Sequence, residues 1–231
     1  MLNWTPTTRG WGTSRRGNEH VRNEDAFILL DHPSRTRDVT DRGAIYAVSD
    51  GVSTVAEGHW ASHLTISRMN QFFEPSSVAS ADTMTQLLSE IDWEIRGERK
   101  GRAACTVAAA WVHEKCVHVF QVGDSHIFRV RKGRVDRLTA TETSGGRKLD
   151  HFLGMGPAVS EVIQVAEHAI EPGDALVLVT DGVTAYVGAD DLVAYWEGAH
   201  GDPAACTQSI LGAVSRAQGG DDATVIVALV L

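Results

Sequence analysis

The chain has 231 residues, of which 43% are hydrophobic and 22% charged, with a formal net charge of −9. That balance suits a globular protein in water, offers no apolar run of the length a membrane helix needs, and scatters its basic residues, which excludes nucleic acid and anionic membranes as expected partners. The length favours one large domain over residues 1–231. Met1 to Arg16 carries no apolar segment ending in a small-residue cleavage site, so the expected location is cytoplasmic. Cys105, Cys116 and Cys206, odd in number and irregular in spacing, predict buried free thiols and not a disulfide framework or a cysteine zinc site.

In chain order, apolar and β-branched runs predict strands over Phe27 to Leu30 and Ala44 to Ser49. A helix follows from Gly58 to Phe73, with Trp60, Leu64 and Met69 on one face, and a second from Ala81 to Ile95, with Met84, Leu87, Leu88 and Ile91 inward and Asp82 as its N-cap. Strands return over Thr106 to Val112, Val117 to Val122 and Ile127 to Val130. The turns Gly123-Asp124-Ser125-His126 and Arg131-Lys132-Gly133-Arg134 suit antiparallel hairpins. Thr139 to Asp150 is polar, aperiodic and reads as a loop. A strand over Ala175 to Thr180, helices over Asp190 to Trp196 (N-cap Asp190) and Pro203 to Ala217, and a strand over Thr224 to Leu231 complete the pattern. Helices grouped in pairs, not alternating one for one with strands, predict an α+β fold: a four-layer α/β/β/α sandwich of two mainly antiparallel sheets flanked by helices.

Acidic residues recur where these strands meet turns: Glu24-Asp25, Asp50-Gly51, Gly123-Asp124, Asp181-Gly182 and Asp221-Asp222. One Asp-Gly after a strand is an ordinary turn. Several strand ends gathered on one rim could instead offer carboxylate and carbonyl oxygens to hard divalent cations, with glycine letting backbone approach the ion.

The order of these sites resembles the metal-dependent protein phosphatase family of type 2C over nearly the whole chain. The motifs are Gly17 through His20 to Asn23-Glu24-Asp25, Ser49-Asp50-Gly51-Val52 to Gly58 and Ala61-Ser62, Cys105-Thr106, Gly123-Asp124-Ser125, Phe152-Leu153-Gly154, Pro172-Gly173-Asp174 to Thr180-Asp181-Gly182, and Gly220-Asp221-Asp222-Ala223-Thr224. The resemblance implies that Asp50 bridges two metals, that the Gly51 carbonyl joins one of them, and that Asp181 and Asp221 complete the other site. Glu24 and Asp25 would act near the second metal, directly or through water. Asp222 stands where the family often has Asn and is the weaker assignment. The implied cofactors are two divalent cations, Mn²⁺ or Mg²⁺. The implied activity is hydrolysis of phosphoserine and phosphothreonine in proteins by a metal-activated water, opposite a protein kinase. A Cys-x5-Arg cradle for a thiolate nucleophile is absent from the sequence.

Several positions depart from the family. His20 stands where a phosphate-binding Arg is common, with Arg15, Arg16 and Arg22 as other sources of positive charge. Val55 replaces a proton-donating histidine, and His59 and His63 read as packing or solvent residues of the next helix. Asp124 matches a third-metal ligand, but Ala185 replaces its usual acidic companion, so a third site is short of ligands. His126 reads as a strand-surface residue. The short Thr139 to Phe152 stretch lacks most of the family's flap and implies an open rim with loose local sequence preference. Two other readings stay open: a catalytically weak or inactive regulatory module that binds a signalling partner, and a metallohydrolase of small phosphate esters.

Overall fold

A computed structural model of the chain describes residues 5–31, 42–73, 78–140, 151–154 and 159–231. Among the described residues, ten strands form two five-stranded sheets in which every pairing is antiparallel. The strands are β1 (Thr8–Arg15), β2 (Ala26–Leu30), β3 (Ala44–Ser49), β4 (Val107–His113), β5 (Cys116–Val122), β6 (His126–Arg131), β7 (Arg134–Arg137), β8 (Gln164–Ala169), β9 (Ala175–Val179) and β10 (Ala223–Val230). One sheet runs β1-β10-β9-β6-β7 and the other β2-β3-β4-β5-β8. The helices are α1 (Gly58–Arg68), which continues as a 3₁₀ turn to Phe73, α2 (Ala81–Arg99), the one-turn α3 (Asp181–Thr184), α4 (Ala189–Gly198) and α5 (Pro203–Arg216).

The apolar runs of the central strands bury both faces, which is why they read as continuous and not alternating. On β3, Tyr46 and Val48 point between the sheets toward Ile127, Leu178 and Ile226, while Ile45 and Ala47 point toward Met84, Leu88 and Ile91 of α2. On the far side, Val177, Val179, Val225 and Val227 meet Ile210 and Val214 of α5. Three apolar layers between four structural layers follow, as the sequence pattern predicts.

The corrections are local. β5 and β6 do not form a hairpin: they lie in different sheets, and Gly123-Asp124-Ser125 carries the chain from one to the other. Gly123 adopts φ +97 with the Thr106 side chain against it, a conformation and a closeness that a side chain there would strain. β6 and β7 do form the expected hairpin. The strand β1 carries no apolar pattern, because Gly10 and Gly12 lie against the rings of Tyr46 and Phe27 where a Cβ has no room. The edge strand β8 is mostly exposed and correspondingly polar. Helix α2 starts at Ser80, whose hydroxyl accepts from Thr83 N at 3.1 Å while Ser80 N donates to Thr83 Oγ1 at 3.0 Å, so Asp82 lies in the first turn and is not the cap. Likewise the N-cap of α4 is Gly188, two residues ahead of the expected Asp190, which lies in the first turn. Most of the expected Thr139 to Asp150 loop lies outside the described residues. Among the described residues, no helix is long and apolar enough to cross a membrane.

All three cysteines are free, but Cys116 is partly exposed where burial was expected. Burial pushes the Cys105 thiol up to about 11 and the Cys206 thiol up to about 12. At pH 8 a disulfide reagent is therefore expected to titrate one slow thiol per native chain, Cys116, and all three after denaturation in guanidinium. Rapid labelling of more than one native thiol contradicts this packing.

Candidate functional site

Register brings the acidic motifs together. Ala26 pairs with Ser49, so Asp25 before β2 and Asp50 after β3 lie side by side at one end of their sheet. In the other sheet Val179 pairs with Val225, which sets Asp181 after β9 beside Asp221 and Asp222 before β10. The two ends are stitched across the sandwich by Asp25: its Oδ2 accepts from Thr180 Oγ1 at 3.0 Å and from Thr224 Oγ1 at 2.6 Å. Asp25 is itself held by Asn23, whose Oδ1 accepts from Asp25 N at 3.0 Å.

The Asp50 strand end is clasped to the start of β4. Thr106 N donates to Asp50 O at 2.8 Å, Asp50 N donates to Thr106 Oγ1 at 3.1 Å, and Ser49 Oγ donates to Thr106 O at 2.6 Å. Thr106 Oγ1 also lies 2.8 Å from Ser125 Oγ, which ties the Gly123–Ser125 turn to the same point. Gly51 N donates to Glu24 O at 3.1 Å, and a Cβ on Gly51 would meet the Gly58 backbone at the start of α1. A Cβ on Gly182 would run into the Asp222 carbonyl, and one on Gly17 into the Gly220 and Asp221 backbone. These glycines let the acidic loops approach one another.

The electrostatics are those of crowded carboxyls. Burial, then the charges of Asp25 and Asp181, a facing Asp181 carboxyl close enough to share a proton, and Asp221 hold Asp50 well above the usual carboxylate range. Burial raises Asp25 to about 7 against the opposing hydrogen bonds from Thr224 and Thr180, with Asp222 and Asp181 adding to the rise. Burial and Asp181 also raise Asp221, partly offset by the bond from Asp222 N. Asp25 Oδ1 and Asp181 Oδ1 are buried without a hydrogen-bond partner. Orphaned anionic oxygens in a hard-oxygen donor set fit a divalent cation, which would supply the missing partner and relieve the repulsion. Among the described residues, no three His, Cys, Asp or Glu side chains already stand as a closed cage for an ion.

Asp222, the weaker assignment from sequence, organises the neighbouring loop. It is 2% exposed. Its Oδ1 accepts from Gly17 N at 2.7 Å, and its Oδ2 accepts from Glu24 N at 2.7 Å and faces His20 Nδ1 at 2.8 Å. His20 Nδ1 also lies 3.6 Å from Asp221 Oδ1. Burial alone would lower the His20 pKa, but the Asp222 hydrogen bond and the charges of Asp222, Asp221 and Glu24 outweigh it and raise it. His20 therefore sits at the rim as a cation-prone group. Arg16 spends its guanidinium on the carbonyls of His20 and Val21, which shapes the loop. Burial raises Glu24, opposed first by His20.

The other sequence candidates divide. Asp124 occupies the sheet-crossing turn, one residue before Ser125, whereas the charges acting most on Asp50 come from Asp25, Asp181 and Asp221. His63 is exposed and meets the His59 ring at 4.4 Å, while His59 Nδ1 is buried without a partner. His126 is half-buried on β6: burial lowers its pKa to about 4, and Nδ1 lies 3.3 Å from Thr139 Oγ1. Thr106, Thr180 and Thr224 were not singled out as site residues, although each lies inside one of the quoted motifs. For Thr180 and Thr224, a hydroxyl one to three residues from an acid at a strand end is the signal that could have marked them; Thr106 has no acidic neighbour in the chain and is revealed only by its bonds to Asp50 and Ser49.

The family model for protein phosphatase 2C matches residues 12–209. No protein of curated function matches the chain. Among solved structures, the chain is similar to PppA, a key regulatory component of T6SS in Pseudomonas aeruginosa, at 19% identity and a TM-score of 0.81 over 98% of this chain and 100% of that one. The catalytic domain of the serine/threonine protein phosphatase PstP, in complex with two manganese ions, is 18% identical with a TM-score of 0.80 over 98% and 100%. MsPP from Mycobacterium smegmatis, a PPM Ser-Thr phosphatase in complex with cacodylate, is 21% identical with a TM-score of 0.74 over 95% and 97%. These likenesses establish the shared fold.

Proposed function

We propose, from the premise that the chain belongs to the protein phosphatase 2C family, that it hydrolyses phosphoserine and phosphothreonine in proteins as a single phosphatase domain over residues 1–231. The observation that carries this reading is the meeting of Asp25, Asp50, Asp181 and Asp221, from loops far apart in the chain, with two buried anionic oxygens left unpartnered. In this reading Asp50, the Gly51 carbonyl, Asp181 and Asp221 hold two divalent cations, Mn²⁺ or Mg²⁺, as PstP holds two manganese ions. Glu24 and Asp25 stand behind them. Such cations, when bound, supply an acidified water for in-line attack and neutralise phosphoryl oxygens.

The chain's own residues then have separable tasks. Asp25 fixes the distance between the two sheet ends through Thr180 and Thr224. The Thr106 clasp orients the Asp50 strand end, and Asp222 sets the loop that presents His20 and Glu24. His20, with its raised pKa, donates to a phosphate oxygen at the rim in the place of an arginine, as a single donor and not a bidentate clamp. The opposing reaction is that of a protein kinase.

The test is phosphate release from a phosphothreonine peptide by the EDTA-treated chain, with Mn²⁺ or Mg²⁺ added back. Restored turnover is the expected result, and no turnover with either cation across phosphoserine, phosphothreonine and small phosphate esters rejects it. Val55 and Ala185, where the family places chemical groups, favour a second reading, a regulatory module. Cation-independent binding of a signalling protein without turnover would select it.

A further inference from the structure

Helix α2 buries one face through Met84, Leu87, Leu88, Ile91 and Ile95, and its opposite face is expected to be uniformly polar. Trp93 breaks that rule. It stands on the outer face 74% exposed, beside a cleft of about 670 Å³ that α2 shares with Arg68 at the end of α1. Glu90, Glu94 and Glu98 line the same cleft on successive helical turns. Among the described residues lining it, Arg68 is the one cation, with Nε 3.4 Å from Glu94 Oε2 and Nη2 3.9 Å from Glu90 Oε2, both longer than a direct hydrogen bond. Two carboxylate charges of the lining are left unmatched.

Helix formation does not ask for this arrangement. Like charges four residues apart repel along a helix, and Glu98 lies in the last turn, where a carboxylate opposes the dipole. Gly97, a poor helix former on the same face, is required by no neighbour, since a Cβ there would meet nothing within 4 Å, and it leaves the floor beside Trp93 open. An exposed indole bordered by unmatched carboxylates is complementary to guanidinium and ammonium groups, which the ring attracts through its π-face and the carboxylates through charge. An uncharged apolar partner would desolvate the glutamates without a counter-charge, and an acidic one would be repelled.

The cleft leads to the acidic rim. α2 ends at Arg99, and the chain then turns back against the Gly51 loop: Glu57 N donates to Arg102 O at 2.9 Å and Val52 N to Ala104 O at 3.0 Å. α1 starts at Gly58 in the same place. Trp93 lies about 9 Å along the helix axis from that end, so an extended chain of roughly four to eight residues reaches from the cleft across the rim. We propose that the cleft docks a basic segment, a run of Arg or Lys, of the phosphoprotein substrate itself, roughly four to eight residues from the phosphorylated side chain. On the phosphatase reading above, on which this rests, the rim takes the phosphoryl group and the Trp93 face selects the chain that carries it.

The experiment uses the full chain with Mn²⁺ and two phosphothreonine peptides, identical except for an Arg-Arg-Arg or a Gln-Gln-Gln block about six residues from the phosphothreonine. The arginine peptide is expected to show a KM lower by about 10-fold or more with kcat unchanged, an advantage that shrinks in high salt. Trp93→Ala, and separately Glu94→Gln with Glu98→Gln, should erase that advantage and leave p-nitrophenyl phosphate hydrolysis as in the wild type, because these side chains lie on the outer face of α2. Fluorescence anisotropy of the dephosphorylated arginine peptide should report binding that Trp93→Ala removes and Asp50→Asn keeps. Equal KM for the two peptides, an advantage untouched by both variants, or binding that Asp50→Asn abolishes overturns the inference and leaves the phosphatase reading intact. Binding at the Trp93 face with no KM advantage assigns the cleft to a separate basic protein and overturns it as well. No turnover of either peptide or of p-nitrophenyl phosphate instead overturns the phosphatase reading, and the substrate role of the cleft falls with it.

Discussion

Replacing Asp50 by Asn is expected to abolish cation-dependent phosphate release, by 10³-fold or more on the order of other losses of a reacting group, while raising the melting temperature of the EDTA-treated chain at pH 8. The two effects share one cause. Asp50 is held well above its ordinary pKa by burial and by Asp25, Asp181 and Asp221, so without cations its charge opposes folding. The sign follows from Asp25, whose folded pKa is raised to about 7, against about 3.9 in an unfolded chain. The folded state holds its proton more tightly. Its contribution to stability is therefore complete below about pH 4 and is lost as pH rises through about 7, at on the order of 2–4 kcal/mol for the shift. The cation-free chain should melt lower at pH 8 than at pH 5, and added Mn²⁺ should remove most of that difference. Asp50→Asn should recover about 1–2 kcal/mol at pH 8, roughly 2–8 °C for a chain of this length. Calorimetry at the two pH values, with and without Mn²⁺, checks this. A variant destabilised equally at both would mean that the carboxyls do not repel one another in the fold.

The second large effect belongs to Asp222. Removing its carboxylate by Asp222→Ala strands Gly17 N, Glu24 N and His20 Nδ1 at once, each within 2.8 Å of it in the native chain. Loss of one partner of buried, charge-assisted bonds costs about 3–5 kcal/mol, far above a surface substitution. The His20 pKa should also fall, because its largest raising influence is the Asp222 hydrogen bond. A phosphatase assay should show KM rising more than kcat falls if His20 contacts the substrate phosphate. Asp222→Asn keeps one carbonyl acceptor but turns an NH₂ toward remaining donors, so it should lie between wild type and Ala. Thermal melts and the His20 titration followed by NMR decide the matter, and an Asp222→Ala chain with unchanged melting temperature contradicts the loop's dependence on this residue.

These two residues also mark where reading by sequence is strong and where it is weak. Asp50 and Asp181 were legible because each ends a continuous apolar strand and is followed by glycine, a local pattern that needs no knowledge of what lies opposite. The helices were legible in their apolar spacing, although their caps were not, since Ser80 and Gly188 lie just outside the periodic segments. Asp222 looked secondary because its importance resides in partners about 200 residues away in the chain. β1 was missed for a related reason: its glycines report closeness to Tyr46 and Phe27 and carry no strand signal of their own.

By itself, the sequence determined the alternation of buried strands and paired helices, the acidic strand ends and their order, because hydrophobic period and turn chemistry act over a few residues. Only the tertiary structure decided that β5 and β6 part into different sheets and that Asp25 joins the two sheet ends. Each of those depends on a hydrogen bond or a close approach between segments that no local pattern relates, and the charge of one carboxyl takes its meaning only from the others brought beside it.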